Sequence, residues 1–324
     1  MNIHNNTTDS GKHAQPASRL NVWAHLCMLG ACAIWGLMAP LAKHAMTHGV
    51  GGLELVTFRV AGGAICFWIA SAFMPEEKVK PKDMLLFFFA AMLGIVLNQC
   101  CYTIGLSITS PVNASIMTTT MPIITMILAA VFLKEPVTGK KVIGIFMGCI
   151  GAFILITGSR NGQSTSGVLT GDLLCLAAQC SFAVYLTLFK HLIQRYSVIT
   201  SMKWMTTYAA IVIMPFSYER MAMLSWTTMD PRVWWETAFV VVGATFLAYI
   251  LMMHGQKVLR PTVVAMYNYV QPIVACCVSV FIGLGTFGVA QTAAVVLVFA
   301  GVWLVTQSKS RREMKLERKS KNSN

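Results

Sequence analysis

The chain has 324 residues, 56% of them hydrophobic and only 11% charged, with a mean hydropathy of +0.64; these values lie outside the range of a soluble globular chain of this length. A formal net charge of +13 is an excess that nucleic-acid-binding proteins also carry, but here the basic residues collect on one side of the apolar runs, so nucleic acid is not needed to explain them. The composition is that of an all-α integral membrane protein.

A helix needs about 20 apolar residues to cross the hydrocarbon core. Ten such runs follow one another at 22–44, 53–74, 84–103, 108–133, 142–158, 169–190, 199–218, 234–256, 262–283 and 288–307. Residues 1–21 are polar, with no apolar core before a small-residue cleavage site, so they read as a tail and the first run as an uncleaved insertion signal. That run carries Trp35 near its middle, away from the interfacial level where Trp23 sits; a mid-membrane Trp either lines a pocket or packs against a small-residue helix. The second run holds Arg59. An intramembrane charge is costly and is a functional hypothesis by default. Its guanidinium fork suits a carboxylate or phosphate; the alternative is that it snorkels outward or pairs with Glu54 and backbone carbonyls.

The third run offers Asn98, Gln99 and Tyr102. The fourth begins with PVNASIMTTTMP, residues 111–122, in which Pro111 stands at a first turn where it loses no helical hydrogen bond. Pro122 falls near mid-span, frees a carbonyl and breaks the helix, while the threonine hydroxyls can bond their own backbone. Gly144, Gly148 and Gly151 in the fifth form a small-residue seam for close helix contact. Residues 159–168 are a linker on the outer side. The sixth run supplies Gln179 and Tyr185, and the eighth Tyr249 together with His254, the best remaining titratable group for proton coupling.

The ninth run opens with PTVVAMYNYVQP, residues 261–272, which repeats the proline spacing of the fourth. Tyr267, Asn268 and Gln271 share one face there by spacings of three and four, and Pro272 is a second helix break. The amides either bond between helices, as such groups commonly do in bundles, or touch cargo. The tail 308–324 is basic. Ten cysteines all fall within the apolar runs without CxxC or Cys/His ligand spacing, which fits packing rather than disulfides or a metal; no cofactor is expected.

With the amino terminus inside, inner segments collect twenty Lys and Arg residues and outer ones four, which places both termini in the cytoplasm by the positive-inside rule. Comparing the chain with itself is more informative still. A shift of 150 aligns Gly105 with Gly255, Pro111 with Pro261, Pro122 with Pro272, Ile123 with Ile273 and Gly151 with Gly301; a shift of 147 aligns Lys43-His44 with Lys190-His191. The expected architecture is therefore ten transmembrane helices as two five-helix repeats, 22–158 and 169–307. Five is odd, so the second copy enters from the other face and the repeats are inverted, which suits alternating access with a site between them near mid-bilayer.

At this point the residues resemble the EamA-type transporters of the drug/metabolite transporter superfamily. AIWGLMAPLAKHAM has the Trp-Gly followed by proline of that family's first helix, and TFRVAGGAI its second-helix arginine. The stretch from YTIGLSITSP to GCIGAFILI is similar to its signature segment, and GDLLCLAAQCSFAVYLTLFKHL and the run from FVVVGATFLAYI to VSVFIG match its second half. One departure is plain: the family commonly has an acidic residue after the ninth helix, as Glu135 stands after the fourth, and Gly285 occupies that place here. The resemblance implies a cell-membrane transporter of amino acids, other metabolites or toxic compounds, with efflux ahead of uptake. A small-molecule substrate and the bilayer are then its partners, with a homodimer left open. No HExxH, GxSxG or paired carboxylates lie in the runs, so an intramembrane enzyme lacks its chemistry, and no GxxxxGK[ST] loop supports ATP drive. A receptor or assembly subunit stays open unless a two-sided cavity exists between the repeats.

Overall fold

The computed structural model describes residues 17–109, 111–158, 169–224, 229–281 and 288–308. The first sixteen residues, the linker 159–168, Gly285 and the tail from 309 onward lie outside these residues. Among the described residues there is no strand.

In chain order the long helices are α1 (Ala17–Thr47), α2 (Gly52–Ala72), α3 (Pro81–Ile108), α4 in two pieces (Pro111–Thr118 and Met121–Phe132) and α5 (Gly139–Gly158). Then come α6 (Leu169–Leu188), a short helix at Lys190–Arg195, α7 (Val198–Ala222), α8 (Pro231–Val258), α9 and α10 (Val289–Thr306). In α9 the pieces Pro261–Met266 and Val270–Phe281 flank a 3-10 turn at Tyr267–Tyr269. Five stretches are long and apolar enough to cross a membrane: Val22–Thr47, Gly52–Ala72, Pro81–Ile108, Leu169–Leu188 and Pro231–Val258. Large apolar side chains such as Ile65, Phe73, Phe89, Val131, Phe153, Ile211 and Phe216 are exposed around the outside. Water would not tolerate an apolar surface of this extent, whereas hydrocarbon does.

The repeat seen in the sequence reappears as geometry. Pro81 and Pro231 open α3 and α8, and both helices widen into a π segment at equivalent places, Met92–Leu97 and Phe239–Leu247. The breaks in α4 and α9 also correspond, at Thr119–Thr120 and Tyr267–Tyr269. The first precedes Pro122 by two to three residues and the second precedes Pro272 by three to five, because a proline ring disturbs the turn before it.

Close approaches obey the same symmetry. A methyl group at Gly105 would stand 2.8 Å from the Gly171 carbonyl oxygen and the Cys175 sulfur; one at Gly255 would meet the equivalent Met28 side chain and stand 3.2 Å from the Ala24 carbonyl oxygen. Gly144 lies against Gly301 and Gly151 against Ala294, which are partners exchanged by the repeat. The end of α3 thus lies beside the start of α6, and the end of α8 beside the start of α1, so equivalent helices run in opposite directions.

Polar contacts gather at two faces of the bundle. At the face where α1 begins, here the amino face, Asp83 accepts from Arg195 at 2.7 Å and from the Tyr196 hydroxyl at 2.6 Å, and Glu77 accepts from the Ser197 amide at 2.8 Å. Glu135 pairs there with the fully buried Lys141 at 2.9 Å and accepts from Thr262 at 3.2 Å, tying the end of α4 to the starts of α5 and α9. At the opposite face the Lys43 ammonium donates to the carbonyls of Leu106, Ser107 and Thr109 at 2.7, 3.1 and 3.2 Å, filling acceptors that the end of α3 leaves open. Thr109 donates to Asp172 at 2.6 Å, and His44 meets Glu236 at 2.7 Å.

Candidate functional site

Midway between these faces lies a cavity of about 70 Å3, below the 300–1,000 Å3 of typical small-molecule sites. Both halves build it. From the first come Trp35, Met38, Arg59, Asn98, Gln99, Tyr102, Thr118 and Met121, and from the second Gln179, Phe182, Tyr249, Asn268 and Gln271. Two pairs related by the repeat offsets face each other across it. Trp35 and Phe182 meet edge to face at 6.4 Å, and the Gln99 amide donates to the Tyr249 hydroxyl at 2.9 Å. Residues that touch their own equivalents lie on the two-fold axis relating the repeats, so the cavity sits on that axis.

Several lining groups are held by their neighbours. The Trp35 indole donates to the Ala244 carbonyl at 2.9 Å, in the π segment of α8. Ser181 takes the Leu93 carbonyl of the matching segment in α3 at 2.6 Å. A π turn offsets the regular ladder, and side chains from the neighbouring helix fill the places it opens. Next to Trp35, a methyl at Gly36 would stand 3.0 Å from the Gln271 carbonyl oxygen, so the Trp-Gly pair puts an aromatic wall in the cavity while letting α9 approach α1. Asn98 donates to the Ala178 carbonyl at 2.9 Å. Gln271 donates to the Asn268 side-chain oxygen at 2.8 Å, and the Asn268 amide lies on the Met121 sulfur.

Arg59 is only 4% exposed, and its Nε donates to the Thr245 hydroxyl at 3.0 Å. It forms no ion pair among the described residues, which corrects the expectation of a Glu54 partner, and its burial in the cavity wall corrects that of snorkelling. The Glu54 Oε2 is buried with no hydrogen-bond partner. The charge is asymmetric: the equivalent position in α7 is Thr206, whose hydroxyl bonds its own helix.

Tyr185 and Tyr267 are not among the lining residues. Tyr185 packs over Gly94, stacks on Phe182 at 5.5 Å and donates to Gln256 at 3.4 Å. The Tyr267 hydroxyl meets His25 Nδ1 at 2.6 Å. Both therefore close the amino side of the cavity. The 3-10 turn advances about 120° per residue rather than 100°, which separates Tyr267 from the face that Asn268 and Gln271 share. His254 is exposed and bonds the Ile250 carbonyl of its own helix, so it faces away from the cavity. Met38 and Phe182 were not singled out from sequence; they follow Trp35 and Gln179 by one helical turn, the signal that would have found them. No group of His, Cys, Asp and Glu suited to a metal occurs among the described residues.

Comparison with known proteins adds the last observations. The EamA-like transporter family model matches twice, over residues 22–157 and 169–307. The chain is similar to the "Uncharacterized transporter YyaM" of Bacillus subtilis (strain 168), 26% identical over 68% of this chain and 72% of that one. It is also similar to the "WAT1-related protein At1g43650" of Arabidopsis thaliana, 24% identical over 90% of this chain and 92% of that one. A solved crystal structure superposes with a TM-score of 0.69 at 19% identity, over 89% of this chain and 97% of the other, which is a likeness of fold.

Proposed function

Because the chain belongs to the EamA-like transporter family, we propose that it is a secondary transporter of small metabolites, exporting amino acids or related compounds by alternating access between two inverted five-helix repeats. The observation that carries this reading is the polar cavity on the axis between the halves. A solid interface there would have favoured a receptor or an assembly subunit. Ten crossings, in a cell membrane with the amino face cytoplasmic, accommodate the helices α1–α10, and the excess of Lys and Arg at that face supports this orientation.

Both faces carry contacts that join the halves. His25–Tyr267, Asp83–Arg195 and Glu77–Ser197 latch the amino face, and His44–Glu236 and Thr109–Asp172 the other. In the transport cycle one set opens while the other stays shut. The turns at Thr119–Thr120 and Tyr267–Tyr269 serve as hinges, since interrupted helices at mid-membrane are where such folds bend. Among the described residues no carboxylate lines the cavity, so substrate exchange or facilitated movement is favoured over a buried acidic proton relay.

The test is counterflow in liposomes holding the purified chain, with labelled amino acids, nucleosides and organic acids. Accumulation of one class against its unlabelled form supports the proposal; failure of every class, together with no ligand in a thermal-shift screen, sinks it. Asn268→Ala and Gln271→Ala should each lower transport by about tenfold, the effect of losing one polar contact to cargo worth about 1.4 kcal/mol. Unchanged rates in both would return these residues to packing.

A further inference from the structure

The cavity holds a cation with no anion to meet it. Arg59 is buried in the wall, and one of its five N–H donors is used, by the Thr245 hydroxyl. Among the described residues no Asp or Glu lines the same space, and no second cation does either. A buried charge that lacks a partner costs several kcal/mol, and a protein keeping one where a neutral residue would be more stable has a use for it. Close by, Gln99 is 2% exposed; its amide nitrogen is engaged by Tyr249, while its oxygen is buried with no partner.

We propose that the substrate is a small monocarboxylate whose anionic head is bound by the Arg59 guanidinium and whose adjacent hydroxyl or amino group is bound by the Gln99 side chain. This inference rests on the transporter reading and narrows it. The guanidinium fork matches a carboxylate with two parallel hydrogen bonds. The single cation sets the charge: a phosphate monoester, at about −1.5 to −2, would bring excess negative charge to the guanidinium, whereas the carboxylate of a hydroxy acid neutralises Arg59 and that of an amino acid pairs with it while its ammonium is left to the Gln99 oxygen. Trp35 meets Phe182 and Tyr249 edge to face at 6.4 and 5.7 Å, and the three rings supply an apolar wall for the rest of the molecule.

The test uses the full chain and matched compounds on one skeleton: 3-phenyllactate, phenylalanine, 3-phenyllactamide, phenylalaninamide and a phosphate monoester, with shorter aliphatic versions of each. Binding is read by Trp fluorescence in detergent and movement by counterflow in liposomes. Carboxylates are expected to bind and move at least tenfold better than their amides or the phosphate ester. Arg59→Gln should lose at least tenfold toward carboxylates and change little toward amides, with Arg59→Lys intermediate. Because Arg59→Gln removes an uncompensated charge, its thermal midpoint should match or exceed that of the wild type, which separates loss of binding from loss of fold.

Amides or cations moving as well as carboxylates, or Arg59→Gln carrying carboxylates at the wild-type rate, would overturn the inference and leave the transporter reading intact. Carboxylates that bind through Arg59 without moving would support the site and defeat the transporter reading. A panel that neither binds nor moves defeats both.

Discussion

Replacing Gly36 by alanine tests whether the approach of α1 to α9 builds the cavity. The added methyl would stand 2.9 Å from Val274 Cβ, 3.0 Å from the Gln271 carbonyl oxygen and 3.2 Å from its Cα. Carbon atoms rest at about 3.5–4.0 Å, and these neighbours are backbone or next to it, so no flexible side-chain end can yield. The helices would have to separate by roughly 0.6–1 Å. Overpacking of this kind costs about 1–3 kcal/mol, against a gain of up to about 1 kcal/mol from the better helix propensity of alanine. The net loss is then roughly 1–2 kcal/mol. Thermal unfolding in detergent should fall by about 2–8 °C, at some 2–4 °C per kcal/mol, and counterflow should drop, because Trp35 and Gln271 move apart with the helices. Gly139→Ala is the control, since a methyl there meets nothing within 4 Å. Equal midpoints and equal transport for the two variants would refute the reasoning.

Tyr249→Phe removes the hydroxyl that Gln99 donates to, leaving a buried amide worth about 1–3 kcal/mol unpaired; thermal unfolding should show the loss, and Gln99→Leu added to Tyr249→Phe should restore part of it. Lys43→Met strips three acceptors at the end of α3 of their donor, so hydrogen exchange of the 104–109 amides should speed up while the 81–91 amides stay protected. Glu77 lies in the loop between α2 and α3. Burial raises its pKa, but the hydrogen bonds from Ser197 and Thr200 and the nearby Lys257 outweigh this and hold it below the usual carboxylate range. A carboxylate depressed in the folded state stabilises above its unfolded pKa of about 4.3 and loses that contribution as pH falls through the folded value. Glu77→Gln should therefore lower the thermal midpoint at pH 7, by a difference that shrinks as the pH falls below the unfolded pKa.

Much of this was legible in the sequence for one physical reason: hydrocarbon solvates neither backbone nor polar side chains. Spans must be helical, so prolines and glycines at fixed offsets, such as Pro111 and Pro261, report the repeat directly. Polar residues are scarce enough in such spans that Arg59, Asn98, Gln179 and Asn268 stand out, and the structure gathers these four around one cavity. What stayed hidden lacks that contrast. Met38 and Phe182 line the same cavity but are apolar and look like packing. Tyr185 and Tyr267 are as polar as Tyr249, yet a glycine at 94 and a 3-10 turn direct them to the closure beneath. The π segments of α3 and α8 have no residue signature at all, and without them the Trp35–Ala244 bond across the halves could not be anticipated.

The most direct measurement of the central claim latches each face in turn. In a background without the native cysteines, His25→Cys with Tyr267→Cys on the amino face and His44→Cys with Glu236→Cys on the opposite one would each be joined by a bifunctional thiol reagent with a reducible spacer, because side chains that meet at their tips at 2.6 and 2.7 Å leave the shorter cysteines too far apart for a direct disulfide. If the halves rock about a shared cavity, either crosslink stops counterflow and reduction restores it. Undiminished counterflow with either face crosslinked to completion would contradict alternating access in this protein.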